Sequence, residues 1–248
     1  MQSEIITEKM NELRFFGMKR AFESTFQTGQ HMNLTQDEMV NYLLDAELDD
    51  RKTRKVDRAL RLARFRYRSC IEDLIYDDQR GLEKNQVIRF AECDYIEKHE
   101  NIIITGATGV GKSYVASAFG NQACVKGYKA MYTNMAKLVS KLKMLKADGS
   151  YLREITRMEK VDLLIIDDFG LQPLDNQSGL SFLEIIEDRY EKRSTIITSQ
   201  LPVESWYEVI GEKTVADAIL DRLVYSSHRI SLKGESFRKR KNKTEKND

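Results

Sequence analysis

The chain has 248 residues, of which 41% are hydrophobic and 32% are charged, and its formal net charge is +1. This length supports one large core or a core domain with a smaller appendage, and the near-neutral total charge points to no particular partner. No run of about 18 apolar residues occurs, which excludes a membrane span. The lack of a basic-then-apolar start and three widely spaced cysteines favour a protein of the reducing cytoplasm.

The composition changes along the chain and divides it into four parts. Residues 1–75 are charged and helix-friendly, which predicts a small N-terminal all-α domain that binds DNA or a partner. Residues 76–100 resemble a connector. Residues 101–233 alternate short apolar runs with helical patterns, as α/β domains do. Residues 234–248 are polar and basic, which predicts a frayed tail that is either a second DNA contact or a solubilising end.

Basic residues are concentrated in residues 51–68, where nine Lys or Arg accompany one acid, Asp57. An apolar stripe at helical spacing runs through the same segment: Val56, Ala59, Leu60, Ala63 and Tyr67. The pattern predicts one amphipathic helix with a basic outer face, suited to sequence-independent contact with DNA phosphates. The candidate DNA-binding residues are Arg51, Lys52, Arg54, Lys55, Arg58, Arg61 and Arg64. A solvated helix face is the alternative interpretation.

Strands and helices alternate in the α/β part. The predicted strands are residues 101–105, 128–133, 161–167, 195–199 and 229–232. The predicted helices are residues 112–126, 134–147, 178–192, 203–210 and 214–225, with Asn134 as the cap of the second. Near-continuous apolar strands need cover on both faces. The expected fold class is therefore α/β, with a central, mainly parallel five-stranded sheet.

A phosphate-binding loop follows the first of these strands. Residues 106–113 (GATGVGKS) match G-x-x-x-x-G-K-[ST] without a mismatch, between a predicted strand and a predicted helix. Glycines let backbone N–H groups converge on phosphate oxygens, and the helix presents its positive end to the anion. Lys112 is expected to reach the β- and γ-phosphates, and the Ser113 hydroxyl to bind Mg²⁺. The predicted ATP-binding residues are Gly106, Ala107, Thr108, Gly109, Val110, Gly111, Lys112, Ser113 and Tyr114.

Two carboxylates end the third predicted strand. Four apolar residues precede Asp167 and Asp168, and the strand should end beside the phosphate-binding loop, at the carboxyl edge of the sheet. Asp167 is expected to hold Mg²⁺, and Asp168 to polarise the attacking water as general base. Two solvated acids at a strand end are the alternative.

The remaining candidate catalytic residues follow the fourth strand and the last helices. The fourth strand is expected to lie between the other two, which would place Gln200, or else Ser199, near the γ-phosphate. Arg222 or Arg229 is a candidate arginine finger, acting on the site of a neighbouring subunit. A surface arginine paired with Asp217 or Asp221 is the more common arrangement.

Several segments together resemble a known family. GATGVGKS, LLIIDDFG, STIITSQLP and DAILDRLVYSSHRISLKGESFR are similar to the IstB family, the ATPase helper proteins of bacterial insertion-sequence transposition. MNELRFFGMKRAF and AELDDRKTRKVDRALRLARFR extend the resemblance over nearly the whole chain. The resemblance implies an AAA+ P-loop NTPase fold close to the DnaC helicase loaders and the DnaA initiators.

The resemblance also implies roles for single residues. Residues 106–113 match Walker A, and Asp167 with Asp168 matches Walker B in the Asp-Asp form usual for this subgroup. Gln200 falls at the sensor-1 position, where Asn or Asp is more common. Arg222 matches the arginine-finger region, and Arg238 in GESFR is similar to a family motif.

The resemblance, together with the basic helix, implies an ATP-dependent DNA-binding assembly factor that helps an insertion-sequence transposase to select and engage target DNA. Hydrolysis of ATP with Mg²⁺ would control assembly into a ring or spiral and its release. The expected partners are double-stranded DNA, the cognate transposase and further copies of the chain, with no membrane. A DnaC-like replicative helicase loader is one alternative, and a P-loop small-molecule kinase is another. A kinase needs an acceptor pocket and an arginine-bearing lid, whereas residues 134–160 carry lysines at helical spacing.

Overall fold

The computed structural model describes residues 2–76 and 80–237. The chain forms two compact units, Met1–Arg58 and Ala59–Asp248. The first unit therefore ends earlier than the expected residue 75. Ala63, Ile71 and Leu74 explain the difference, because all three side chains are buried in the core of the second unit.

The N-terminal unit is helical, as predicted. It contains α1 (Gln2–Glu12), α2 (Phe16–Gln27) and most of α3 (Gln36–Ala63). Gly17 lets α2 approach α3 closely, since a Cβ there would overlap the carbonyl oxygen of Ala46. The unit has a small apolar core of Met10, Ala21, Phe22 and Leu43.

The basic helix ends earlier than its pattern predicts. α3 stops at Ala63, and Arg64 adopts a left-handed conformation with φ 57°. The continuation of the helix to residue 68 is therefore wrong. The side chain of Phe65 packs where Gly120 leaves room, because a Cβ on that glycine would overlap the Phe65 ring. Burial of this aromatic ring draws residues 65–70 away from the helix axis.

The expected connector is a folded part of the second unit. It contains α4 (Lys84–Ala91) and α5 (Asp94–Glu97). Val87, Phe90 and Tyr95 are buried against the main core. Residues 77–79 of the connector lie outside the described residues.

The central sheet has the predicted five strands, all parallel. They are β1 (Asn101–Gly106), β2 (Ala130–Asn134), β3 (Leu163–Phe169), β4 (Ser194–Ser199) and β5 (Ser227–Leu232). Their order across the sheet is β2-β3-β4-β1-β5. β4 thus lies between the phosphate-loop strand and the acidic strand, as predicted. Because all strands run the same way, their carboxyl ends share one edge.

Helices cover both faces of the sheet. They are α6 (Lys112–Val125), α7 (Met135–Asp148), α8 (Tyr151–Glu159), α9 (Asn176–Arg189), α10 (Trp206–Ile210) and α11 (Lys213–Val224). Ile102 and Ile104 of β1 join the apolar cluster beneath α4 and α6, whereas Ile103 joins the opposite cluster beneath α7 and α9. The Asn134 side chain accepts the N–H of Ala136 at 3.1 Å, which confirms the predicted cap of α7. α8 is not among the predicted helices.

Candidate nucleotide-binding site

The phosphate-binding loop has the predicted strand before it and the predicted helix after it. Its glycines adopt conformations that other residues rarely adopt, with φ 146° at Gly106, 85° at Gly109 and 100° at Gly111. A Cβ on Gly106 would also overlap the carbonyl oxygen of Leu232 in β5. The loop therefore needs glycine both for its curvature and for its close fit against the sheet.

Lys112 is folded back over this loop. Its Nζ donates hydrogen bonds to the carbonyl oxygens of Gly106 at 2.7 Å and Ala107 at 2.9 Å. The residue is only 5% exposed. Burial lowers the pKa of the ammonium group below its ordinary value, although the charges of Asp168 and Asp167 oppose this shift. A phosphate group would replace the two carbonyls as a stronger, charged partner for this amine.

Asp167 meets the phosphate-binding loop directly, as the sequence predicts. Its Oδ1 accepts hydrogen bonds from Ser113 Oγ at 2.7 Å and from the hydroxyl of Thr198. Its Oδ2 accepts from the Tyr132 hydroxyl and from Arg66 Nη1, the latter at 3.1 Å. The strand that carries Asp167 and the loop that carries Ser113 therefore form one site.

These contacts keep the carboxylate of Asp167 ionised. Burial alone would raise its pKa, but hydrogen bonds from Thr198, Tyr132, Ser113 and Arg66 outweigh burial and hold the pKa below its ordinary value. Burial, together with the hydrogen bond to Asp167, raises the pKa of the Tyr132 hydroxyl, which therefore remains a donor. A negative charge is thus available beside the Ser113 hydroxyl.

A β-bulge turns Asp168 towards the same site. Consecutive residues of a regular strand point to opposite faces, but the β3–β4 register shifts between Ile166 and Phe169, and Asp168 has φ 59°. The Thr198 hydroxyl accepts the N–H of Asp168 at 3.0 Å and so satisfies the interrupted ladder. Asp168 Oδ2 accepts hydrogen bonds from Asn134 Nδ2 at 3.0 Å and Arg66 Nη1 at 3.1 Å.

Gln200, rather than Ser199, faces the phosphate-binding loop. Thr108 Oγ1 donates to Gln200 Oε1 at 2.6 Å. The buried hydroxyl of Ser199 instead donates to the carbonyl oxygen of Phe169 at 2.8 Å and accepts the N–H of Leu201 at 3.1 Å. The side chain of Ser199 is thus engaged by the backbone.

A cavity of about 550 Å³ opens over the loop, within the range of small-ligand sites. Its polar lining includes Arg66, Asp73, Arg80, Thr108, Lys112, Ser113, Asp168 and Gln200. Its apolar lining includes Leu74, Ile75, Leu82, Tyr114, Leu171 and Phe237. Charged and apolar groups together suit a nucleotide, which joins anionic phosphates to a flat base.

The first residues of the expected tail lie on the phosphate-binding loop. The N–H of Phe237 donates to the carbonyl oxygen of Gly109 at 3.0 Å. The guanidinium of Arg80 lies 4.1 Å from the centre of the Phe237 ring and donates to the carbonyl oxygen of Val110 at 2.8 Å. The prediction of a frayed tail is therefore wrong for residues 234–237. Arg238 and the rest of the tail lie outside the described residues.

Comparison with known proteins identifies the family. The family model for the IstB-like ATP-binding protein matches residues 8–245. The chain belongs to this family. It is 43% identical over 232 residues to y4pL of Sinorhizobium fredii, named as an insertion sequence ATP-binding protein, with 94% of this chain and 95% of that protein covered. It is 38% identical over 203 residues to the protein named for ATP binding in insertion sequence IS1162 of Pseudomonas fluorescens, covering 82% of this chain and 88% of the relative.

Solved structures show that this IstB-family protein has the AAA+ fold of the DnaC and DnaA group. DnaI superposes with a TM-score of 0.57 at 23% identity, covering 68% of this chain and 90% of DnaI. The DnaC helicase loader superposes with a TM-score of 0.55 at 16% identity, covering 67% of this chain and 98% of the loader. Identities this low bear on the fold alone. The resemblance to the IstB family found in the sequence is confirmed by the family model, and the expected fold is confirmed by these superpositions.

The two candidate finger arginines of this IstB-family protein have acidic partners outside the cavity. Arg222, with 24% of its side chain exposed, has Nη2 2.9 Å from Glu187 Oε1 and donates from Nη1 to the carbonyl oxygen of Ala218 at 3.0 Å. Arg229 Nη1 lies 3.9 Å from Glu204 Oε1. The described acidic partner of Arg222 is therefore Glu187 on α9, not the expected Asp217 or Asp221. Action on a neighbouring subunit stays a prediction.

Four residues that contact the two acids were not predicted as part of the site: Arg66, Tyr132, Asn134 and Thr198. Arg66 was counted with the basic helix, and its contact with Asp167 spans 101 sequence positions, so no local spacing reveals it. Thr198 is a polar residue at the end of an apolar strand, which is the only signal the sequence offers. Tyr132 and Asn134 end β2, and their proximity to β3 depends on the strand order.

We expect Thr198→Val to destabilise the protein by about 1–3 kcal/mol at neutral pH, because it removes a buried hydroxyl that donates to the Asp167 carboxylate and accepts the backbone N–H of Asp168. It leaves the Asp168 N–H and one lone pair of Asp167 without their partner, while the side-chain size is almost unchanged. The pKa of Asp167 should rise, because one of the hydrogen bonds that lowers it is lost.

Stability of this variant should also depend on pH with a defined sign. The depressed pKa of Asp167 contributes stability above its unfolded pKa, and this contribution disappears as pH falls through the folded pKa. The deficit of Thr198→Val should therefore shrink in acid. Thermal unfolding between pH 3 and pH 8 measures it, with Thr133→Val on β2 as control. Equal deficits at all pH values would contradict the coupling to Asp167.

Proposed function

We propose that this IstB-family protein is a Mg²⁺-dependent ATPase that binds duplex DNA. Its ATP-controlled self-association helps an insertion-sequence transposase to select and engage target DNA. The observation that carries the proposal is the 2.7 Å hydrogen bond between Ser113 Oγ and Asp167 Oδ1, which joins the phosphate-binding loop to the acidic strand. The names of the relatives supply the insertion-sequence context.

The residues present fit Mg²⁺. Mg²⁺ prefers oxygen ligands and is held in nucleotide sites by one or two protein groups together with phosphates. Ser113 and Asp167 offer a hydroxyl and an ionised carboxylate whose oxygens lie 2.7 Å apart, and Ser113 lines the cavity. When bound there, Mg²⁺ neutralises charge on the β- and γ-phosphates.

The chain's own groups have separate roles in the proposed hydrolysis. The backbone N–H groups of the loop and the ammonium of Lys112 bind and orient the triphosphate. Asp168 takes the proton of the attacking water, since its carboxylate lines the cavity beside Lys112. Gln200, held over the loop by Thr108, orients that water.

Arg222 is proposed to complete the site of a neighbouring subunit. An arginine supplied by a partner is worth about 10³–10⁵ in rate in related phosphoryl-transfer enzymes. Within its own chain Arg222 is held by Glu187 on α9, a contact between groups that are partly exposed. Head-to-tail contacts of this type build rings or open spirals. ATP at the interface then stabilises the assembly, and hydrolysis weakens it.

The basic face of α3 is proposed to bind DNA phosphates. All seven candidate residues of residues 51–64 are exposed. Arg51, Lys52 and Arg54 form ion pairs with acids of the preceding turns, which partly neutralises the start of this face. Lys55 and Arg58 follow these pairs and are therefore the best positions for a test.

Duplex DNA is expected to stimulate ATP hydrolysis with no acceptor metabolite present, and Lys55→Gln/Arg58→Gln should lose much of this stimulation. The double variant should also flatten the log–log salt dependence of DNA binding. Each lost phosphate contact changes that slope by about 0.9, so two contacts change it by about 1.8. Fluorescence anisotropy with labelled duplexes between 50 mM and 200 mM salt, alongside a phosphate-release assay, measures both effects.

The matched control is Lys98→Gln/Lys129→Gln, which removes two positive charges from exposed positions outside α3. An equal change of slope in both double variants would contradict a DNA contact at α3. Phosphate transfer to a small metabolite would instead favour the kinase. Binding to a replicative helicase, but not to a transposase, would favour the loader.

No helix among the described residues combines the length and apolar character that crossing a bilayer requires.

A further inference from the structure

The guanidinium of Arg66 lies on the acidic side of the nucleotide site. Its Nη1 lies 3.1 Å from Asp167 Oδ2 and 3.1 Å from Asp168 Oδ2. Ser113 Oγ contacts the other oxygen of the Asp167 carboxylate. Arg66 therefore contacts one proposed Mg²⁺ ligand, Asp167, directly, and it lines the same cavity as Lys112.

The backbone around Arg66 is anchored, whereas its side chain is partly exposed. Ala63 is fully buried, the Phe65 ring fills the space beside Gly120, and the Ser69 hydroxyl donates to the carbonyl oxygen of Tyr114 at 3.0 Å. The Arg66 side chain is 39% exposed. The segment thus fixes the position of the Arg66 Cα, while the guanidinium lies 5.6 Å from the centre of the Tyr67 ring in a partly exposed side chain.

The present contacts leave the arginine's preferred geometry unused. Both carboxylates are contacted by a single nitrogen, Nη1, whereas a guanidinium binds a phosphate most strongly through two parallel N–H groups. A γ-phosphate offers such a pair of charged oxygens. Ser113 and Asp167 would hold Mg²⁺, whose charge would offset the carboxylates in place of Arg66. ADP has no γ-phosphate and therefore lacks the charged oxygens that would accept hydrogen bonds from Arg66.

We propose that Arg66 is a positioning residue that recognises the γ-phosphate of ATP from within the same chain. Without nucleotide it neutralises Asp167 and Asp168. With ATP bound it donates to the γ-phosphate, which favours ATP over ADP and frees the carboxylate of Asp168 to accept a proton. This inference rests on the proposed function, because it requires that the cavity binds ATP.

Equilibrium binding of ADP and of a non-hydrolysable ATP analogue, by isothermal titration with Mg²⁺, tests the inference. Arg66→Ala should weaken the ATP analogue by at least ~10-fold and ADP by no more than ~3-fold, since one charge-assisted contact is lost only with ATP. Arg66→Lys keeps the positive charge but not the two parallel N–H groups of the guanidinium, so its loss of affinity for the ATP analogue should be intermediate. Arg68→Ala, at an exposed arginine two positions later, should leave both affinities unchanged.

The ratio of the two affinities separates recognition from a structural role. A lower melting temperature of nucleotide-free Arg66→Ala with an unchanged ATP-to-ADP ratio would show that Arg66 only neutralises the acids, and would overturn the inference. Tighter binding of both nucleotides by Arg66→Ala would show that Arg66 only blocks the site, and this result would also overturn the inference. Failure of the wild-type chain to bind either nucleotide would instead overturn the proposed function.

Discussion

Lys112→Ala is expected to weaken ATP binding by at least ~100-fold, or about 3 kcal/mol. Lys112 is 5% exposed, and its ammonium group donates hydrogen bonds to the carbonyl oxygens of Gly106 and Ala107. It is already desolvated and aimed at the loop, so a bound triphosphate gains a charge-assisted partner without the cost of ordering one. Titration with a fluorescent ATP analogue measures the loss, and a melting curve checks that the loop still folds.

The pH dependence of binding provides a sharper version of this test. Burial lowers the pKa of Lys112, and ATP binds the protonated amine, so affinity should fall as pH rises through that lowered pKa. Lys112→Arg stays protonated throughout the accessible range and should not show the fall. Affinity of Lys112→Ala within about threefold of the wild type would mean that the phosphates bind elsewhere.

The parts of the site that are continuous in sequence are predictable. Residues 106–113 specify a loop whose glycines, lysine and serine act through positions fixed by one turn, and the structure places that loop between β1 and α6. The apolar strands predict a parallel sheet because only burial on both faces accommodates them. A parallel sheet in turn brings its strand ends to one edge, which places Asp167 beside Ser113.

The residues that surround the acids are not predictable in the same way. Arg66 contacts Asp167 across 101 positions, and its basic neighbours in sequence suggest a solvent-facing helix. The segment is held near the site by long-range contacts, such as the packing of Phe65 against Gly120 and the hydrogen bond from Ser69 to Tyr114. The bulge at Asp168 has no sequence signature either, because it depends on a register shift relative to β4.

Element boundaries show the same limit. α8 (Tyr151–Glu159) follows α7 after only Gly149 and Ser150, and the abundance of lysine before this break hides the second helix. α4 lies in a segment whose composition resembles a linker, yet Val87 and Phe90 are buried. The positions of these helices thus depend on the burial of a few apolar side chains in the folded protein, which the average composition of a segment does not reveal.

Asp168→Asn is expected to lower the rate of ATP hydrolysis by at least ~100-fold while nucleotide binding is nearly unchanged. A positioned general base contributes about 10²–10⁴ in rate. Asparagine suits the site, because it tolerates the left-handed φ of 59° and keeps an oxygen for the Asn134 and Arg66 contacts. Single-turnover hydrolysis and titration with ATP measure the two effects separately.

Asp167→Asn is the informative comparison, since it removes the carboxylate beside Ser113 and should weaken Mg²⁺-dependent nucleotide binding as well as hydrolysis. Hydrolysis of normal rate in Asp168→Asn would disprove its assignment as the base.

The expected loss of hydrolysis in Asp168→Asn also allows a test of whether Arg222 acts on a neighbouring subunit. Asp168→Asn retains Arg222, whereas Arg222→Ala retains the acids, so head-to-tail assembly of the two inactive variants creates some complete sites. Recovery of hydrolysis on mixing requires that Arg222 acts between subunits, because no site within either single chain has both groups.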